Sequence, residues 1–347
     1  MDKTLATPDV TILGAGVIGL SCALACLKQG AKVQVIDPFG PAHGASGGIV
    51  GALAPHTPDN WNPKKQFQFE SLLMARDFWP WVEDISGQTT GYRPTGRIQP
   101  ILTEKQRPAA HRRAIESQVL WQGQAEWVVV PASHHDWEPP TPTGWLITDT
   151  LSAHLHPLQA TQAMAQAVRA LGGWFGDTPH GAVIDATGWA GLKTLSNDMG
   201  HNVGGGVKGQ AALLHAPWAG KAQIFADGVH IIPHQDGTVA VGSTSERDFK
   251  MPTNTDGQLD EVITRAKMLL PVLQNARVIQ RWANVRPRAN SRAPMMGPHP
   301  LKCDVYIANG GFKIGFGMAP KMGKVMADLV LNGQNNIAAA FRIEKSM

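Results

Sequence analysis

The hydrophobic pattern changes period along the chain, and each change marks an element. Val10–Leu13 is a short unbroken apolar run, as expected of a strand buried on both faces. Apolar and small residues continue through Leu27 with helical spacing and stop at Gly30. A β-branched run, Val33–Ile36, then ends on Asp37. Further on, Phe67, Phe69, Leu72, Leu73, Phe78 and Trp81 mark an amphipathic helix over Phe67–Val82. Helices are also expected over Gln106–Gln122, over Leu158–Leu171 after Pro157, and over Leu259–Leu270 before Pro271. Gly144–Asp149 reads as a short strand, and Ala182–Asp185 as a buried strand ending in small residues. From Gly204 to Ser245 the period becomes two, with strands at Gly209–His215, Ala222–Phe225, Gly228–Pro233 and Thr238–Gly242, and a hairpin turn at His234–Gly237. A strand lies within Arg277–Pro287, another at Asp304–Ala308, and a last helix runs to about Leu331. The proline-rich Val128–Pro142 is expected to be loop.

An α/β part and an all-β part imply two domains, and 347 residues suffice for both. Hydrophobic residues at 43% and charged residues at 17% describe an ordinary globular chain. The net charge of +4 suits an anionic ligand, but is too small to argue for nucleic acid. The uncharged stretch Val10–Leu27 could in principle cross a membrane. Its glycines, the early Asp2 and Asp9 and the acid-terminated second strand argue against that. Cys22 and Cys26 lie one helical turn apart and Cys303 is remote, so free thiols in a cytoplasmic protein are expected. His134 and His135 are neighbours without a third metal ligand and are expected at the surface.

Chemistry enters at Gly14, Gly16 and Gly19, spaced G-x-G-x-x-G between the first strand and the first helix. Gly14 permits a tight turn, Gly16 lets the backbone approach a pyrophosphate, and Gly19 lets helix and strand pack closely. The helix start, with Val17 and Ile18, offers unpaired N–H groups to phosphate. Asp37, followed by Pro38, can accept hydrogen bonds from a ribose diol, and its charge disfavours a 2′-phosphate. After Asp37 the chain is small and glycine-rich, through Ala45, Ser46 and Gly47. Such a segment can pass under a large planar ligand, which points to FAD rather than NAD. A second glycine-rich turn, Gly310-Gly311-Phe312-Lys313-Ile314-Gly315, opens the last helix.

The segments GAGVIGLS with VID, GASGGIVGALAP, VIDATGWAG, GQAALLHAPW with GVHIIPHQDGTVAVGST, and RPRANSRAPMMGPHP with GGFKIGFGMAP carry a resemblance over nearly the whole chain. It is to the FAD-dependent D-amino acid oxidase and glycine oxidase family. The resemblance implies a discontinuous Rossmann-type FAD domain (1–60, 145–203 and 295–347) and an antiparallel substrate sheet (61–144 and 204–294). It places Gly14, Gly16, Val17, Ile18, Gly19, Asp37 and Pro38 on the ADP half of FAD. Ala45, Ser46, Gly47, Thr187 and Gly188 fall along the cofactor, and Gly310–Gly315 at the flavin pyrimidine.

Arg286 falls on the family's carboxylate-binding arginine, a residue whose planar fork suits that task. His230 stands where relatives often carry a tyrosine, and Lys313 where glycine oxidases carry an arginine. All three are candidates for substrate contact. The implied reaction is oxidation of a small amine or amino acid, with oxygen or a quinone or carrier protein as electron acceptor. A 2-hydroxy acid dehydrogenase using His230 as base, or a flavin module of a tRNA-modifying enzyme, remains an alternative, and a homo-oligomer is left open. The segment between Leu171 and Ala182 is short for the family, so the sheet there is expected to be trimmed.

Overall fold

The computed structural model describes residues 7–347; residues 1–6 of the first expected FAD segment lie outside them. Val10–Leu13 runs parallel between Val33–Ile36 and Ala182–Asp185. Val305–Asn309 continues the parallel set, Trp174–Phe175 closes one edge, and Met295–Pro298 closes the other antiparallel. This six-stranded doubly wound sheet is covered by the helices Val17–Lys28 and Gly315–Asn332. The two helices cross closely because Gly323 lacks a side chain: a Cβ there would lie 2.4 Å from the Ser21 carbonyl. The Ser21 hydroxyl donates to the Ala319 carbonyl at 2.7 Å across the same crossing. Every residue from Val17 to Leu24 is buried, as an apolar helix between sheet and helix must be.

An eight-stranded sheet faces the carboxyl end of the first. Its order is Arg277–Ala289, Gly204–His215, Thr238–Gly242, Val229–Pro233, Gln223–Ala226, Arg97–Pro100, Trp145–Asp149 and Trp127–Pro131. It is antiparallel except at one junction, where Gln223 and Ile224 pair parallel with Arg97 and Ile98. The exception falls where two separate chain segments meet edge to edge, one supplying five strands and the other three. A small antiparallel pair, Gly51–Leu53 with Ala153–Leu155, lies between the sheets.

The structure corrects several expectations. Trp127–Pro131 is an edge strand, not loop; its Trp-Val-Val-Val run outweighs the prolines, which begin only at Pro131. Trp145–Asp149, on the margin of the expected FAD segment, pairs in the eight-stranded sheet instead. The helix expected over Phe67–Val82 spans Pro63–Ser86, because Asn62 caps its start by accepting from Lys64 and Lys65 and Gly87 ends it at φ +65°. Between Leu171 and Ala182 lies the two-residue strand Trp174–Phe175. Cys22, Cys26 and Cys303 are free, and His134 and His135 are exposed. No helix among the described residues is long and apolar enough to cross a membrane.

Candidate active site

A cavity of about 630 Å³ opens where the parallel strands end beneath the eight-stranded sheet. Its nucleotide end is built by the first strand–helix turn. Gly14 adopts φ +98°, and a Cβ on it would meet the Ala186 carbonyl at 2.6 Å. The amide of Ala15 donates to Asp37 Oδ2 at 2.8 Å, and that of Phe39 to Asp37 Oδ1 at 3.0 Å. These bonds fix the carboxylate at the end of its strand. The Val17 amide donates to Ser46 Oγ at 3.0 Å, which ties the small-residue segment to the helix start. Gly16, at the N-cap, has no side chain to cap with, but the Val17 amide expected to be unpaired is taken by Ser46, so the helix start faces the cavity with that N–H already satisfied.

The opposite end is closed by the turn before Gly315–Asn332. Gly311, Phe312, Lys313 and Gly315 line the cavity, and no side chain caps this helix either. Two helix starts facing the cavity, neither capped by its own N-cap residue, with bare glycine backbone and the fixed Asp37, fit an extended dinucleotide with a flavin at its far end. Among the described residues no cluster of His, Cys, Asp and Glu could hold a metal ion.

Of the residues expected from sequence, Gly14, Gly16, Val17, Ile18, Asp37, Pro38, Ala45, Ser46, Thr187, Gly188, His230, Arg286, Gly311, Phe312, Lys313 and Gly315 line this one cavity. Gly19, Gly47, Gly310 and Ile314 do not. Gly19 and Gly47 work behind the wall, since a Cβ on either would lie 2.0 Å from the Gly14 carbonyl or 1.9 Å from the Ala42 carbonyl. Gly310, at φ +78°, makes the turn, and Ile314 is the N-cap position of the last helix. Cys303 is exposed and not part of the lining.

Arg286 lies on the long strand Arg277–Ala289, opposite Val207. Its guanidinium folds over Gly209, where a Cβ would sit 1.8 Å from Nη1. Its protein hydrogen bond runs from Nη1 to the Thr244 carbonyl, at 3.3 Å. Glu246 is nearby but committed: it pairs with Lys208 at 3.3 Å and accepts from Gln210 at 3.0 Å and from Thr244 Oγ1. Arg286 therefore enters the cavity without an ion pair. Burial pulls it down to about 10, with Glu246 opposing, so it stays charged at neutral pH. Lys313 is pulled down by burial and then by Arg286.

His230 pairs with Phe225 on the neighbouring strand, ring centroids 4.6 Å apart. Burial, then Arg97, Lys313 and Arg286, pushes it down to about 3, so the imidazole is neutral. Its Nδ1 has no protein partner.

Sequence reasoning missed Val50, Trp189, Phe225, Trp282, Asn284 and Phe316, all of which line the cavity. Trp282 and Asn284 were within reach: with Arg286 they occupy alternate positions of one strand and so share a face.

Fold and site together define an FAD-dependent oxidoreductase. The chain belongs to the FAD dependent oxidoreductase (DAO) family, matching it over residues 9–329. It is 25% identical to a glycine oxidase of Bacillus licheniformis over 97% of both chains. It is 24% identical to a bifunctional protein ThiO/ThiG of Nostoc sp., covering 95% of this chain but 54% of that longer one. Among solved structures, a glycine oxidase from Geobacillus kaustophilus superposes with a TM-score of 0.83 at 19% identity, covering 97% of this chain and 98% of the other. L-proline dehydrogenase from P. horikoshii does so with 0.79 at 18%, covering 95% of each.

Proposed function

We propose that the protein oxidises a small amino acid, or one alkylated on nitrogen, at its Cα–N bond. The observation that carries this is the unpaired Arg286 guanidinium inside the cavity beside a neutral imidazole. Arg286 receives the substrate carboxylate in a two-point contact, and Gly209 leaves it room to do so. The walls formed by Phe225, Trp282 and Phe316 exclude water and hold the α-carbon in place. Bound FAD supplies the acceptor for the hydride that leaves the α-carbon. The imino acid formed then takes up water and releases the amine.

A neutral amine needs no protein base at this step. A hydroxy acid would need one, and His230, held neutral to about pH 3, is a poor base for a hydroxyl proton. That favours amine over alcohol oxidation. In this reading the cofactor belongs to segments 7–60, 150–203 and 295–347, and 61–144 with 204–294 form the part that covers it, only the second of these two reaching the cavity.

The test is anaerobic bleaching of the flavin by glycine, sarcosine and D-amino acids, set beside the matching 2-hydroxy acids. Amino acids should bleach it and hydroxy acids should not. Arg286→Leu should lower kcat/KM by about 10²–10³, the loss of two charge-assisted hydrogen bonds. Unchanged kinetics in that variant would remove Arg286 from the site. Peroxide yield against dye reduction decides between oxygen and a quinone or carrier protein as acceptor.

A further inference from the structure

Asp37 and Ser46 accept from Ala15 and Val17, so the chain between them starts and ends on the same nucleotide turn. Its middle, residues 38–44, bends outward and comes back. At the bend Ala42 adopts φ +65°, a left-handed conformation that costs a residue with a Cβ. The bend is drawn onto the nucleotide turn by the Ala42 amide, which donates to the Ala15 carbonyl at 3.3 Å. Strain of this kind persists only where the surroundings hold it, and it gathers at ligand clamps.

The bend carries two rings. Phe39 and His43 stack with centroids 5.0 Å apart and planes at 21°, and both line the cavity. Phe39 is 71% exposed. A phenyl ring that open, on the rim of a nucleotide cavity and already stacked on one side, offers its surface to another flat ring. The bend is also tied to the opposite sheet. Asn284 Nδ2 donates to the His43 carbonyl at 3.1 Å, while its Oδ1 accepts from the Val285 amide at 2.7 Å, which fixes the orientation of the amide. Two residues along the same face, Trp282 covers Gly48, where a Cβ would lie 3.2 Å from the indole. The strand that brings Arg286 into the cavity thus grips the chain on both sides of Ala45–Gly47.

We propose that residues 38–44 are a strap over the adenosine half of FAD, with the Phe39–His43 pair against the adenine, and that Asn284 is the catch that holds the strap to the opposite sheet. FAD then leaves only when the catch opens, and the ring pair adds a stacking contact that the rest of the nucleotide turn lacks. The inference is independent of which amine is oxidised.

The test starts from the FAD-loaded full chain, diluted so that released flavin is read as rising fluorescence. Asn284→Ala should release FAD about fivefold faster, the worth of one hydrogen bond. Phe39→Ser should release it about tenfold faster, the worth of a base stacked on an aromatic ring, and Phe39→Trp should hold it at least as long as wild type. Rates of FAD uptake should change far less, because an open strap does not obstruct entry. ADP, which carries the adenosine without the flavin, should compete with FAD for the stripped wild-type protein at about tenfold lower concentration than for stripped Phe39→Ser. Stripped of FAD, both variants should melt within a few degrees of stripped wild type. Release as slow as wild type from either variant overturns the inference, and so does ADP that competes equally with wild type and Phe39→Ser. A stripped Asn284→Ala protein that melts as far below wild type as the loaded one does overturns it too, since Asn284 would then join the two sheets without regard to FAD.

Discussion

Gly209 decides where the Arg286 guanidinium can lie. A methyl group there would stand 1.8 Å from Nη1, and the atom in the way is the tip of a flexible side chain, not backbone. Gly209→Ala should therefore leave the strand Gly204–His215 paired and push the guanidinium off its place beside the Thr244 carbonyl. The expected result is a normal flavin content, a melting temperature within a few degrees of wild type, and kcat/KM lower by about 10². Wild-type kinetics would show that the arginine is free to rearrange. Arg286 was legible because an arginine in Val-Arg-Pro matches a family pattern and its chemistry is local. Gly209 was not, because the need for a bare α-carbon arises only when another strand lies across it. The same holds for Gly47, whose missing side chain makes way for the Ala42 carbonyl.

Which stretches form strands was largely readable, even for Ala182–Asp185, which pairs with Val10–Leu13 far along the chain; which sheet a strand joins was not. The turn from Val10 to Asp37 carries its own strands, helix and acid, so periodicity exposed it. Trp127–Pro131 and Trp145–Asp149 belong to a sheet whose other half lies beyond residue 203, and no local signal assigns them there. Within this part of the sheet a buried pair ties Arg97–Pro100 to Trp145–Asp149. Arg97 Nε donates to Asp149 Oδ2 at 2.9 Å across the register of the two strands, and Asp149 Oδ1 also accepts from the Ser152 amide. Both side chains are almost fully buried. Asp149→Ala should leave a buried guanidinium without a partner and cost about 3–5 kcal/mol, read as a lower urea midpoint. The double variant Arg97→Met with Asp149→Leu should recover most of that loss, because two apolar side chains pay no desolvation there. A single variant as stable as wild type would show that the pair is not what holds these strands.

At the scale of the whole molecule, the two sheets meet over three buried histidines. His154 belongs to the small pair of strands between them, His156 follows that pair, and His234 follows the strand Val229–Pro233 of the eight-stranded sheet. All three are less than a tenth exposed, and the rings of His156 and His234 lie 4.6 Å apart. His234 Nε2 meets the Ile49 carbonyl at 2.9 Å, between Gly48 and Val50 of the cavity wall. His154 Nδ1 meets Thr95 Oγ1 at 3.3 Å, and one nitrogen of each ring has no protein partner. Nothing in the sequence brings His234 to the other two, so the cluster was invisible there. Burial pushes His154 down to about 3, helped by His234 and Arg93, and His234 down to about 4, helped by His156. Burial lowers His156 too, while Asp236 pulls back on both His156 and His234. Folded, these groups refuse protons that the unfolded chain accepts below about pH 6.5, the ordinary histidine value. Stability is thus highest above that pH and falls as pH drops toward the folded values, by on the order of 1 kcal/mol per histidine per pH unit. Between pH 6.5 and 5, where most carboxylates still hold their charge, His154 and His234 together should remove about 3 kcal/mol, with His156 acting in the same direction, a sizeable part of a typical folding free energy. Denaturant midpoints at fixed FAD concentration should be level above pH 7 and drop steeply toward pH 5, and His234→Gln should make that slope shallower. A level profile down to pH 5 would mean that the cluster takes up protons without loosening the junction between the sheets.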